Sequence, residues 1–332
     1  MSRESYIYVS SKIRALERHL LSDADMTRVI DAKTPDIAFK AFNSLDYAGE
    51  LLDLEAKDYR VAMSRKMSRL RKVFEQTIPE QKLLRLLFLE RDFYNIKILF
   101  KEKVSGNGYD EYLETTPGLI PVDQLRRYIV EDLGAEIDSK VKADIDELKK
   151  EIGDDADAET IENLVDQKLN HINHLIAKKI GNKFIIKLYK YLADKNNINL
   201  FLRAKKVGKT SGWVKDRLNA YGNMAPSVIL SHFDAADESE FISALKNYFP
   251  PMIEEYLEDF LKDREIWHLE RGINNVIIDH LKNAKLIGYG PEVVAAYYFG
   301  KKYAIKNLST IMALKFGEVE PTEIRKHLVE TY

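Results

Sequence analysis

Four stretches of the chain hold residue types that could do chemistry. Gly208-Lys209-Thr210 matches the end of a phosphate-binding loop. Arg203 stands where that loop needs its first glycine, and the segment follows a helical pattern instead of a strand, so the cradle of backbone N–H groups is missing. His171 and His174 have the spacing of metal ligands on a helix, but no set of carboxylates adjoins them. Glu265-Ile266-Trp267-His268 is a single Glu-x-x-His unit, and a di-iron bundle needs two of these with further glutamates. Asp154-Asp155-Ala156-Asp157 opens like a calcium loop, but Glu159 occupies the position whose sharp turn needs glycine. There is no Gly-x-Ser-x-Gly nucleophile elbow. The absence of cysteine excludes thiol nucleophiles, disulfides and thiolate metal sites. The expectation is a protein with no catalytic residue, no metal ligand and no cofactor.

The elements that would position any site are helical nearly throughout. Proline stands at expected helix starts, often with an acid close behind: Pro35-Asp36, Pro79-Glu80, Pro121-Val122-Asp123, Pro291-Glu292 and Pro321-Thr322-Glu323. Proline suits a first turn because its missing N–H would be unpaired there, and an early acid complements the helix dipole. No run of alternating apolar and polar residues with tight turn signals predicts strands. A helix is expected from Pro79 to about Lys103, roughly 37 Å long. A compact chain of this size has a radius of gyration of about 20 Å, so this helix would cross much of the molecule. Leu83-Leu84-Arg85-Leu86-Leu87-Phe88-Leu89 predicts burial of its first half. Residues 135–180 read as an exposed helical hairpin broken near Gly153.

Charge is segregated along the chain, although the net charge of −2 gives no bulk attraction to nucleic acid or anionic lipid. Residues 60–72 and 178–217 are basic and residues 131–162 acidic, and each run is expected as a solvated helix face. Tyr297-Tyr298-Phe299 and Tyr248-Phe249 are expected in the core with hydroxyls reaching polar partners. The N-terminal residues do not form a signal peptide, and no apolar run is long enough to span a bilayer. Direct membrane insertion is therefore not expected.

Three helical segments share a pattern. They run from Asp92 to Lys103, from Asp194 to Lys205, and from Ala304 to Lys315. Counting from Asn95, Asn197 and Asn307, the next residue is Ile96, Ile198 or Leu308. Position +4 is Leu99, Phe201 or Ile311, and position +8 is Lys103, Lys205 or Lys315. Asp92 and Asp194 hold position −3, where the third copy has Ala304. Positions −3, 0, +4 and +8 share one helix side. Gly106, Gly208 and Gly317 follow and could end each helix. The asparagines are 102 and 110 residues apart, too far for a solenoid repeat and suited to three subdomains. The expected role of Asn95 and Asn197 is a hydrogen-bonded polar group within a helix junction.

These segments, in this order, resemble the C-subunit family (also called d) of vacuolar- and archaeal-type rotary ATPases. Leu89-Glu90-Arg91-Asp92-Phe93-Tyr94-Asn95-Ile96-Lys97 is similar to the family's Asp-x-x-Asn-hydrophobic-Lys helix. Tyr8 to Glu17 resembles its opening helix, Tyr47-Ala48-Gly49-Glu50-Leu51 its Tyr-x-Gly turn, and Ile324-Arg325-Lys326-His327-Leu328 its closing segment. The resemblance implies one all-α domain over 1–332, with three pseudo-symmetric subdomains of about 1–106, 107–208 and 209–332 forming a funnel. It implies a non-catalytic, cytoplasmic component, peripheral on the membrane through its complex. Central-stalk subunits of the D and F type would enter the open end, and the ring of membrane rotor subunits would carry the other. Torque would pass between them during ATP-coupled transport of protons or other ions. Lys205, Lys206 and Lys209, beside a turn, are the candidate stalk contacts.

Two other readings compete. One is an unrelated helical adaptor, whose three units need not superimpose. The other is a nucleic-acid module using residues 178–217, where Lys178, Lys179, Lys183, Lys187, Lys190, Arg203, Lys205 and Lys206 are interleaved with Phe184 and Tyr189. The near-zero net charge and the lack of a recognised binding motif argue against nucleic acid.

Overall fold

The computed structural model describes residues 2–43, 53–113, 118–235 and 237–332, which are all-α. The segment Tyr47 to Leu51 lies outside the described residues. In chain order the helices are α1 (Ile7–Glu17), α2 (Asp23–Ile30), α3 (Pro35–Asn43), α4 (Tyr59–Thr77), α5 (Gln81–Ser105), α6 (Val122–Ile129), α7 (Ser139–Glu151) and α8 (Ala158–Ile180). They continue as α9 (Lys183–Lys206), α10 (Ser211–Lys215), α11 (Pro226–Phe233), α12 (Ser239–Ala244), α13 (Glu254–Asp263), α14 (Ile266–Lys282), α15 (Pro291–Phe316) and α16 (Pro321–Lys326).

Local chemistry places the ends. Pro35, Pro226, Pro291 and Pro321 are first helical residues, and Pro121 directly precedes α6. Pro79 does not begin α5: Glu80 is extended, so the helix starts at Gln81 and the proline serves the turn from α4. Ser22 and Asp25 form a reciprocal capping box on α2, satisfying two orphan amides. The Asn182 side chain accepts the N–H groups of Phe184 and Ile185 and opens α9. Gly106 and Gly208 adopt φ of +69° and close α5 and α9, a conformation cheap only for glycine. Gly317 departs from this pattern: its φ is −84°, and Glu318 takes the left-handed position.

Three apolar clusters organise the molecule around α5, α9 and α15. The largest joins α9–α14 to the first halves of α5 and α15, through residues such as Phe88, Phe201, Ile273 and Tyr298. The second half of α5 packs on α6–α8, where Phe93, Ile96 and Leu99 meet Val141, Ile145 and Val165. Burial of α5 therefore continues to Phe100, past the half expected from its leucines. The 135–180 hairpin is the cover of this cluster, not a free arm. The second half of α15 packs with α16 and with α2 and α3, so Leu308 and Ile311 meet Val29 and Phe39 from the other end of the chain. Each such side chain buried contributes about 1.5–3 kcal/mol, which favours pairing segments far apart in sequence.

The charged runs are not simply solvated. Lys66 is buried with its ammonium 4.4 Å from the Phe42 ring centre, and Arg71 donates to the Gly118 carbonyl. Asp132 in the acidic run takes Lys103 at 2.6 Å and Lys149 at 2.7 Å. Tyr297, Tyr298, Phe299 and Phe249 are core residues.

Candidate docking cavity and the clamps behind it

The shared stripe on α5, α9 and α15 holds each long helix to the loop that follows it. Asn197 is buried; its Nδ2 donates to the Asn219 carbonyl at 2.9 Å, and the Asn219 N–H returns a bond to Oδ1 at 2.8 Å. Asn307 makes the same exchange with the Val329 backbone, at 2.9 and 3.1 Å. In both cases the partner lies 22 residues downstream. Asn95 is equally buried at the matching position on α5.

The acids at position −3 clamp the next stretch of loop. Asp194 accepts the N–H groups of Asn223 and Met224, each at 3.0 Å, and the Asn223 amide at 2.8 Å. Asp92 accepts the Ile120 N–H at 3.1 Å. Gly118 and Gly222 pass so close to these carboxylates that a Cβ would collide with them. Burial drives the Asp92 carboxyl up to about 6, against the pull of the Ile120 and Leu119 amides and of Arg71 and Arg85. Asp194 is raised for the same first reason. Ala304 supplies no such clamp.

The lysines at position +8 reach helix ends. Lys205 donates to the carbonyls of Phe233 at 2.9 Å and Ala235 at 2.6 Å, at the close of α11. Lys315 donates to the Ala32 carbonyl at 2.6 Å, just past α2. These cations satisfy carbonyls left over when a helix ends. Lys103 ion-pairs with Asp132, three residues past α6.

The opposite face of these three helices borders one cavity of about 1130 Å³. Positions −1 and +2 from the asparagine line it in every copy: Tyr94 and Lys97, Asn196 and Asn199, Lys306 and Ser309. On a helix these positions stand across the axis from 0, +4 and +8, so one face is tied to its own unit while the other meets the shared space. α8 completes the wall with Asn170, Asn173 and Lys178. The lining mixes apolar with polar surface and carries both signs of charge.

The acids of the wall are engaged. Glu90 pairs with Lys302, Asp166 with Lys97 at 2.6 Å, Glu159 with Arg217 at 3.3 Å, and Glu162 with Lys101. Lys302 holds the Glu90 carboxyl below its ordinary value. Lys190, Lys195 and Lys306 line the same cavity with no ion-pair or hydrogen-bond partner among the described residues. Burial, and after it the charges of Lys306 and Lys302, push the Lys195 ammonium down to about 8.

The three candidate contact lysines fare differently. Lys205 is tied to carbonyls. Lys209 meets Glu159 at 3.4 Å and stands 4.7 Å from the Trp213 ring centre. Lys206 is exposed. Sequence reasoning missed Lys195 and Lys306 and placed Lys190 only in the nucleic-acid reading; for Lys306 the signal available was the polar stripe at −1 and +2 on helices otherwise bound for burial.

The other motifs resolve into ordinary structure. Gly208-Lys209-Thr210 is a helix end followed by the Thr210 cap of α10. His171 bonds the Tyr221 hydroxyl at 2.7 Å, and His174 stacks on that ring at 4.2 Å. His268 pairs with Asp263 at 2.8 Å. Among the described residues no three His, Asp or Glu side chains group as metal ligands, and no helix is long and apolar enough to cross a membrane. Phe184 stacks on His280 at 4.2 Å, and Tyr189 donates to the Leu86 carbonyl.

A family model described as ATP synthase (C/AC39) subunit matches residues 9–327. The chain is 18% identical over 329 residues to the C subunit of the V-type sodium ATPase of Enterococcus hirae, covering 98% of this chain and 99% of that one. It is 23% identical over 337 residues to the C subunit of the A-type ATP synthase of Pyrococcus furiosus, covering 97% and 89%. The corresponding A-type ATP synthase C subunit of Methanocaldococcus jannaschii is 22% identical over 347 residues, with 98% and 86% covered.

Proposed function

The chain belongs to the ATP synthase (C/AC39) subunit family, and on that premise we propose that it is a non-catalytic coupling component of a V/A-type ATPase. Its cavity receives the end of a central-stalk protein, and the opposite end of the molecule rests on the rotor ring. Torque passes between the two during ATP-coupled ion transport. The protein works in the cytoplasm, held at the membrane by its complex. Three units surround the cavity, each begun by α5, α9 or α15, and the third is completed by α2 and α3 from the N-terminal region.

The observation that supports this reading is the two-sided construction of the long helices. One stripe of α5, α9 and α15 borders a common space, and the opposite stripe is fastened by buried bonds such as Asn197–Asn219 and Asn307–Val329. A wall that must pass a sideways load needs such bracing, because interiors packed at crystal density transmit strain. Co-purification with the D- and F-type stalk subunits, read by size-exclusion chromatography with light scattering, tests it. A one-to-one-to-one complex that persists at moderate salt is expected. Clean separation from folded stalk subunits would sink the proposal.

A further inference from the structure

We propose that Lys190, Lys195 and Lys306 form a receptor for carboxylates within the cavity, so that the segment seated there is the acidic end of a partner helix. The inference rests on the socket reading and adds the chemistry of the occupant. Each acid of the cavity wall already has a cation: Glu90 has Lys302, Asp166 has Lys97, Glu159 has Arg217 and Glu162 has Lys101. Lys190, Lys195 and Lys306, like Lys178 on the same wall, make no ion pair among the described residues, and Glu270 and Glu90 act on Lys195 only from a distance. Gathering like charges against a partly buried wall is unfavourable, and an opposite charge from outside removes the penalty. The shift of Lys195 to about 8 is the same frustration seen from one member.

Two observations select a polypeptide over a small anion. The amide oxygens of Asn173 and Asn199 are buried on this wall with no hydrogen-bond partner. They call for a donor, which a fully ionised phosphate lacks and which the side chains of a polypeptide supply. The volume of about 1130 Å³ also suits roughly two turns of a helix about 11 Å wide. The negative end of a helix dipole adds to the attraction where the C-terminus enters.

The test has two arms. In the first, the dissociation constant of the stalk subunits is measured at low and moderate salt for the wild type and for Lys195→Met/Lys306→Met. The double variant is expected to bind about tenfold more weakly at low salt, with a flatter salt dependence. Equal affinity and an equal salt slope would overturn the carboxylate receptor while leaving the socket intact. In the second arm, lysine acylation is read by mass spectrometry in the presence of a helical peptide ending in glutamates, its glutamine counterpart, or pyrophosphate. Protection of Lys190, Lys195 and Lys306 by the glutamate peptide alone supports the receptor even if the stalk subunits fail to bind, in which case only the socket reading falls. Equal protection by pyrophosphate, or protection by none of the three, overturns it.

Discussion

Replacing Asn197 by alanine isolates the clamp on which the cavity wall depends. The side chain makes two bonds to one backbone residue, at 2.9 Å to the Asn219 carbonyl and 2.8 Å from its N–H, and both residues are buried. Truncation leaves that carbonyl and N–H without their side-chain partner. Each orphaned group costs about 1–3 kcal/mol, so the loss is about 3–4 kcal/mol before any loop relaxation. A loss of about 3 kcal/mol raises the opening equilibrium of the loop roughly 150-fold. Hydrogen exchange of the Asn219 amide reads the clamp directly, and urea unfolding reads its share of global stability. Asn307→Ala should show a comparable loss at Val329, since its bonds match in kind and length. Asn197→Asp keeps the acceptor for the Asn219 N–H but sets an oxygen against the Asn219 carbonyl, so it should not rescue at neutral pH. Refutation would be a loss below about 1 kcal/mol together with wild-type protection of the Asn219 amide.

Other consequences of the same geometry are open to measurement. Asp92, raised to about 6, holds its proton in the folded state at pH values where the unfolded carboxyl has lost it. Its contribution is therefore full below the ordinary carboxylate value and is lost as pH rises through 6; Asp92→Asn should flatten the pH dependence of the urea midpoint between about pH 4 and 6. Gly118→Ala and Gly222→Ala drive a methyl into the Asp92 and Asp194 carboxylates and should each cost about 2–3 kcal/mol by urea denaturation, whereas Gly108→Ala meets nothing and should be near neutral. Lys205→Met removes two bonds to the end of α11 and should cost about 1–2 kcal/mol, while Lys206→Met should stay within about 0.5 kcal/mol in thermal melts.

Much of this molecule could be read along the chain. Helix rests on local preferences, so the prolines and the early acids placed helix starts to within a residue or two. The likeness of the Asn95, Asn197 and Asn307 segments needed only residue type and spacing, because a stripe on a helix is set by its period. What these residues hold was not legible. Asn219 and Val329 are bound through backbone atoms that every residue possesses, so no side-chain signature marks them, even though the offset of 22 residues recurs. The partner of Lys315 lies 283 residues away at Ala32, a pairing chosen by burial of α2 and α3 against α15. Lys205 looked like any exposed cation beside a turn until the carbonyls of Phe233 and Ala235 came to it. Glu90 and Lys302 cancel while Lys195 and Lys306 do not, although all four are ordinary charged residues on long helices. Sequence determined which faces the helices have; only tertiary structure decided which charges meet across space, because Coulomb interactions and hydrogen bonds act over a few ångströms between groups that the chain order leaves far apart.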